Sequence, residues 1–455
     1  MKNVKIAKFW DSLQSSYLFV PAVIVATAIA LAFTMLTLDQ RGYYGPLANW
    51  GWIYTGSTDG ARAMLSAIAS SMITVAGTVF SITIVALQLA ASNFGPRLLG
   101  NFMHDIGNQV VLGTFIGTFI YCLLVLRTVR GDGDDYNSFI PQLSVTVALA
   151  LAFVSISLLI YFIHHASTII QASHVISDVS AELNSATDRI FPEKLGHSLS
   201  QSGRQVAEIP VNFDQEAYPV RAAKSGYLQA IDDEELMKIT CQHDLLIRLE
   251  FRPGKFIVQG SELVMVYPGE RVNQKLTKKL RDAFILGKER TEQQDIKFPI
   301  NQLVEVALRA ISPGINDPFT AIRCIDRLSA GLSNLAGRDF PSPYRYDDKD
   351  KLRVIAQSVT FAGLTDAAFN QIRQYSNSDV AVTIHLLEAI ATIARYTQNQ
   401  KDREALRRHA EMIRRDSQEA VSEEWDKKDI DKQYQAVLKV LEMASSDRRK
   451  IGIVN

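Results

Sequence analysis

SSMITVAGTVFSITIVALQLA, running from Ser70 to Ala90, carries no charge. Its length meets the ~20 apolar residues needed to cross the roughly 30 Å hydrocarbon core of a bilayer. It reads as the heart of a membrane span set at 64–89, and that assignment makes the whole chain a membrane protein. The same stretch is rich in hydroxyls. At 100° per residue, Ser66, Ser70, Ser71, Thr74, Gly77, Thr78, Ser81 and Gln88 fall within an arc of about 140°, with Thr83 outside it. The polar groups therefore form one face of a helix. Small and hydroxylated residues suit close helix packing with hydrogen bonds across the contact. They equally suit the wall of a wet path, where rotatable dipoles meet ions or water without a buried charge.

Three further apolar segments, 17–38, 110–126 and 143–162, complete a set of four spans. Lys2, Lys5 and Lys8 precede the first, whose apolar run is longer than the core of a cleaved signal peptide and reads as a retained anchor. Those lysines place the N-terminus in the cytoplasm by the positive-inside rule, and four crossings return the C-terminal part to the same side. Tyr43, Tyr44, Trp50, Trp52 and Tyr54 cluster after the first span as interfacial aromatics. Arg127 and Arg130 then fall on the outer side, against the rule, with Asp132, Asp134 and Asp135 next to them. Gly113 and Gly117 in GTFIG have the spacing of a close helix contact, either within one chain or between copies.

Composition excludes several classes. The 455 residues hold 48 Lys+Arg and 48 Asp+Glu, a formal net charge of +0, so no global field recruits nucleic acid. Cys122, Cys241 and Cys324 are far apart, which argues against a disulfide framework or a zinc site and for a reducing compartment. No Asp, Glu, Lys or His lies inside the four segments, which disfavours proton-coupled pumping while leaving a passive pore open. His164, His165 and His174 follow the last span; as neighbours on a helix, the first two diverge, and solvation at the interface accounts for them better than a metal.

SNFGPRLLGNFMHDIGNQ follows the second span, and Pro96 can open a short amphipathic helix with Leu98, Leu99, Phe102 and Met103 towards lipid and Arg97 at headgroups. TVFSITIVALQLAASNFGPRLL (78–99), ALRAISPGINDPFTAIRCIDRL (307–328) and QIRQYSNSDVAV (371–382) together resemble the DUF2254 family of predicted bacterial membrane proteins. The resemblance covers almost the full length. It implies an inner-membrane protein with N-terminal spans and a soluble C-terminal part, and it brings no activity or catalytic residue.

Beyond the last span the helix is expected to run on as a stalk over 169–208, with Ile169, Ile170, Val175, Val179 and Leu183 on an apolar edge suited to neighbouring subunits. His197–Gly203 breaks it. Short β-prone runs then occupy 209–270, among them GYLQAI, LLIRLE and ELVMVY, in a pattern like a small barrel-sandwich. The Met-Lys-Met of a lipoyl or biotinyl carrier is missing, so no cofactor is expected. From 271 to 455 the pattern is helical. In SPGINDPFTAI, Asp317 caps a helix with Pro318 in its first turn. Ser312, Asn316, Asp317, Arg323 and Asp326 form a candidate polar node for a ligand or partner, although capping explains much of the motif. The basic RRHAEMIRR (407–415) has acidic neighbours and reads as a solvated face rather than a nucleic-acid surface. His385 and His409 have no recognisable metal partners.

The expected protein is mainly α, with four transmembrane helices, a small β module and a helical cytoplasmic domain. Its expected function is that of an oligomeric passive pore lined by Ser66, Ser70, Thr74, Gly77, Thr78, Ser81 and Gln88. A membrane-anchored scaffold or sensor is the alternative. An enzyme is not expected, because no constellation joins nucleophile, base and acid.

Overall fold

The structure is a computed structural model, described over residues 18–42, 53–95, 105–131, 139–169, 171–191 and 209–443. The N-terminal lysines, four of the loop aromatics, the Pro96–Met103 segment, the 132–135 acids and the 197–203 break lie outside the described residues. The chain divides into two compact units, Met1–Val175 and Ile176–Asn455.

Four helices of the first unit are long and apolar enough to cross a membrane: α1 (Phe19–Gln40), α2 (Thr58–Phe94), α3 (Ile106–Leu126) and α4 (Gln142–Ile169). Ser57 caps α2 by accepting from the Gly60 amide (3.2 Å), and Asp105 caps α3 through the Asn108 amide (3.2 Å). The 37 residues of α2 span about 55 Å at 1.5 Å per residue, well beyond the hydrocarbon core. Of the four, α3 is the most enclosed. Its Gly113 abuts α1 so closely that a Cβ there would lie 2.9 Å from Pro21 Cα and Ile24 Cδ1, and Gly117 faces Ala28. The GTFIG spacing thus serves packing within the chain. Buried polar groups pair between helices: Thr118 with Ser155 at 3.2 Å, and the Tyr121 hydroxyl donating to the Ser144 carbonyl at 3.1 Å.

One helix was expected through the end of the fourth span. Instead α4 stops at Ile169 and α5 (Ala172–Ile190) begins afresh. The expected stalk residues Val179 and Leu183 are buried in the second unit's own structure. Leu183 presses on Gly331, where a Cβ would come within 2.5 Å of its Cδ2. Arg338 bonds the Asp188 carboxylate and the Phe191 carbonyl, fixing the end of the helix to the same unit. The apolar edge therefore has a partner within the chain.

After a short turn α6 (Phe213–Glu216), strands β1 (Tyr218–Arg221), β2 (Gly226–Ile231), β3 (Leu246–Leu249), β4 (Phe256–Ile257) and β5 (Glu262–Tyr267) match the β-prone runs. Helix α7 (Asp233–His243) interrupts them and α8 (Gln274–Asp282) follows. With β6 (Phe284–Gly287), β7 (Tyr344–Tyr346) and β8 (Leu352–Ile355), two sheets form, ordered β1-β5-β3-β8-β7 and β4-β2-β6, and their apolar faces share one core that includes Val220, Leu228, Ile247, Val264 and Phe284. The sheets thus extend beyond 209–270, with β8 running parallel to β3.

Helices α9 (Lys297–Ala310), α10 (Pro318–Ala336), α11 (Phe361–Tyr375), α12 (Val380–Tyr396), α13 (Gln400–Ala420) and α14 (Glu424–Glu442) pack against one another through amphipathic faces. Asp317, Thr360, Asp379 and Asn399 cap four of them. Buried Arg403 donates to the carbonyls of Val440 (2.9 Å) and Thr397 (3.2 Å), satisfying the open ends of α14 and α12 together.

Candidate polar face of the second membrane helix

On α2 the buried residues are Ala61, Leu65, Ala69, Met72, Ala76 and Val79, which share one stripe against α3 and α4. Ser66, Ser70, Thr74, Gly77, Thr78, Ser81 and Gln88 are all exposed. They lie on the opposite side of the helix, roughly 160° round from the buried stripe. Ser71 is exposed as well, while Thr83, the exception to the arc, is half-buried on the bundle side. Among the described residues, the hydroxyl face therefore takes no part in packing the bundle.

Three of the hydroxyls are held by their own helix. Thr74 donates to the Ser70 carbonyl (2.8 Å), Thr78 to Thr74 (3.1 Å) and Ser81 to Gly77 (2.9 Å). Ser66, Ser70 and Ser71 make no side-chain hydrogen bond among the described residues, whereas each of the three bonded oxygens keeps a lone pair directed outward while its proton is satisfied. Gln88 differs. Its side-chain amide makes no hydrogen bond among the described residues, and no local carbonyl relieves it. Gly77 has nothing within 4 Å of where a Cβ would stand, so the middle of the face is open. Phe80 flanks it at 47% exposed, and Ile84 and Val85, one turn beyond Ser81 and 46% and 57% exposed, interrupt it before Gln88.

Both ends of α4 are fastened by acids that apolarity alone does not reveal. Asp39, in the last turn of α1, is buried and accepts from the Leu143 amide (3.0 Å), the Ser144 amide (3.0 Å) and the Ser144 hydroxyl (2.6 Å), an N-cap supplied by another helix. The expectation of spans free of acids is corrected to this extent: α1 runs to Gln40, and Asp39 is part of it. At the other end His165 Nε2 lies 2.6 Å from Asp105 Oδ2, and its ring stacks on Tyr161. His165 is thus tied into the bundle rather than left to solvent. No cluster of His, Cys, Asp or Glu with the make-up of a metal site occurs among the described residues.

The five residues of the polar node do not converge. Asp317 accepts from the Thr320 amide (3.1 Å) and hydroxyl (2.6 Å) as the cap of α10, and Ser312 donates to the Arg309 carbonyl (2.6 Å). Asn316 takes a left-handed φ of 51° to make the turn. Asp326 pairs instead with His385 Nε2 at 2.7 Å, while Arg323 points to solvent. No side-chain hydrogen bond joins any two of the five among the described residues, and turn and cap geometry accounts for Ser312, Asn316 and Asp317. His409 is fully buried, with Nε2 2.9 Å from Asp366 Oδ1. Burial pushes its pKa down, against the opposing pull of Asp366.

A family model described as predicted membrane protein (DUF2254) matches residues 14–392. Uncharacterised proteins of Mycobacterium bovis and Mycobacterium tuberculosis are 35% identical over 380 residues, which is 82% of this chain and 71% of theirs. No solved structure matches.

Proposed function

We propose, from the premise that the chain belongs to the DUF2254 family of predicted membrane proteins, that its copies assemble so that the hydroxyl face of α2 lines a passive path for ions or water. The reading places the protein in a bacterial inner membrane, with the N-terminus and the Ile176–Asn455 unit in the cytoplasm. Lys2, Lys5 and Lys8, the four apolar helices among the described residues and three free cysteines support that placement.

One observation carries the proposal: a polar face running from Ser66 to Ser81 on an apolar helix points away from the described bundle. Hydroxyls bonded to their own carbonyls tolerate lipid, but an unpartnered primary amide in hydrocarbon costs several kcal/mol, as Gln88 would if lipid covered it. Water or a second copy relieves that cost. Repeated acceptors along several turns of one face favour water. The path is passive, requiring neither catalysis nor a cofactor.

Flux through proteoliposomes tests the reading, with Thr74→Leu/Thr78→Leu reconstituted alongside the wild type. The path predicts wild-type flux that falls at least tenfold in a variant of unchanged assembly size. Absence of flux under osmotic tension, voltage and varied pH refutes it, as does equal flux in the variant. The second reading, a membrane-anchored scaffold or sensor, draws on a cavity within Ile176–Asn455 and requires no flux at all.

A further inference from the structure

A cavity of about 680 Å³ opens within the Ile176–Asn455 unit, bounded by α5, α7, the start of α9 and the loop after β8. Its volume lies in the range that takes a small organic ligand. One wall is apolar, built from Leu236, Leu249, Phe251 and Val354. The charged lining is mainly cationic, with Arg189, Arg252, Lys297 and Arg345 against two acids, Asp233 and Asp295.

Most of these charges are already engaged. Asp295 is held by Arg290 (Nε at 3.0 Å) and accepts from the Lys297 amide (3.2 Å). Arg189 donates to the Glu292 carbonyl (2.8 Å), and Arg345 donates to the Ser342 carbonyl. Asp233 is opposed by Arg345, while burial raises its pKa. Two groups remain. Arg252 and Lys297 are half-buried, and neither side chain makes an ion pair or hydrogen bond among the described residues. They repel each other: burial, Arg252 and Lys255 together lower the Lys297 pKa, against the opposing pull of Asp295 and Asp366. Two like charges at a cavity, neither held in an ion pair among the described residues and with Asp295 already engaged by Arg290, gain stability from an anion placed between them. The start of α9 at Lys297, whose cap residue Ile296 makes no side-chain cap bond, adds a field of the same sign.

We infer that this cavity binds a phosphate monoester carrying an apolar or ring-bearing body. The head lies between Arg252 and Lys297, and the body lies on the Leu236–Phe251–Val354 wall. A phosphate monoester bears about −1.5 to −2 charges at pH 7, matching two cations, whereas a carboxylate leaves one of them uncompensated. The apolar wall distinguishes such a ligand from inorganic phosphate. Two sources share the chemistry, a soluble nucleotide and a lipid with a phosphomonoester headgroup. The inference is independent of the proposed path, since nothing in it requires conduction.

Isothermal titration of the detergent-purified full chain tests it, using AMP, dihexanoyl phosphatidic acid and inorganic phosphate as separate probes. AMP or the phosphatidic acid should bind at least tenfold more tightly than inorganic phosphate. Lys297→Gln and Arg252→Gln should each weaken that binding at least tenfold, whereas Lys439→Gln, on the exposed surface of α14, leaves it unchanged. Thermal melting of each variant in the absence of probe separates lost binding from lost folding. Preference for AMP assigns the soluble source, and preference for the phosphatidic acid assigns the lipid. Failure of both to bind, binding no tighter than inorganic phosphate, or equal affinity in the two cavity variants overturns the inference.

Discussion

Replacing Glu182 with Gln should stabilise the Ile176–Asn455 unit, and more so as pH rises. Glu182 lies half-buried on α5. Burial, with a smaller contribution from the Glu292 carboxylate, pushes its pKa up from an ordinary 4.5 to about 7, while Arg189 pulls the other way. A carboxyl raised in the folded state is protonated there and ionised in the unfolded chain between those two values. The folded state then binds more protons, and stability falls as pH rises through that window. The rise corresponds to roughly 3.4 kcal/mol at 1.36 kcal/mol per pH unit, and partial exposure to water reduces this to on the order of 2 kcal/mol. Glu182→Gln removes the penalty. The variant should match the wild type near pH 4 and exceed it by about 2 kcal/mol at pH 8. His409 contributes the opposite slope: burial lowers its pKa, so its stabilisation is full above the ordinary histidine value and is lost as pH falls. It does so equally in both proteins and cancels in the difference. Urea unfolding of the full chain in detergent, read by hydrogen exchange of amides in the second unit at several pH values, measures the gap. Parallel curves for the two proteins would refute the account of Glu182, and a gap that widens towards low pH would reverse its sign.

Asp39→Ala should destabilise the membrane unit by about 2 kcal/mol, because it strips the Leu143 and Ser144 amides of their acceptor at the buried start of α4. Thermal melting in detergent reads the loss, and an unchanged midpoint would show that other groups cap α4. Gly254→Ala should cost about 1–3 kcal/mol, since φ there is 88° and the added methyl would stand 2.0 Å from Asp295 Oδ2. Asp295 lines the cavity, so the same substitution should weaken any phosphate monoester bound there; a fully stable variant would mean that the turn relaxes.

The membrane half was largely legible in the chain because its cues are local. Apolar length locates α1 to α4, and the small-residue spacing of Gly113 and Gly117 marks a close contact. The arc of hydroxyls on the second span was equally plain. What it faced was not, because a periodic pattern names a face without naming its neighbour. Asp39 and Ser144 are 105 residues apart, and nothing near either one signals a cap shared between helices. The same separation in sequence hid the extent of the sheets, where β3 pairs with a strand beyond residue 350. It also hid the role of Arg403, whose guanidinium reaches carbonyls 37 and 38 residues away.

By itself, then, the sequence determined that this is a mainly helical membrane protein, where its four apolar helices lie, and that hydroxyls share one face of the second. Those properties follow from hydrophobic length and helical period, which need no partner. Only the tertiary structure decided that this face turns away from the described bundle, that the expected stalk folds against its own unit, that Ser312, Asn316 and Asp317 serve a turn and a cap while Asp326 pairs with His385, and that Arg252 and Lys297 line one cavity. Each of these depends on which distant residue arrives at a given surface, and a one-dimensional pattern does not carry that information.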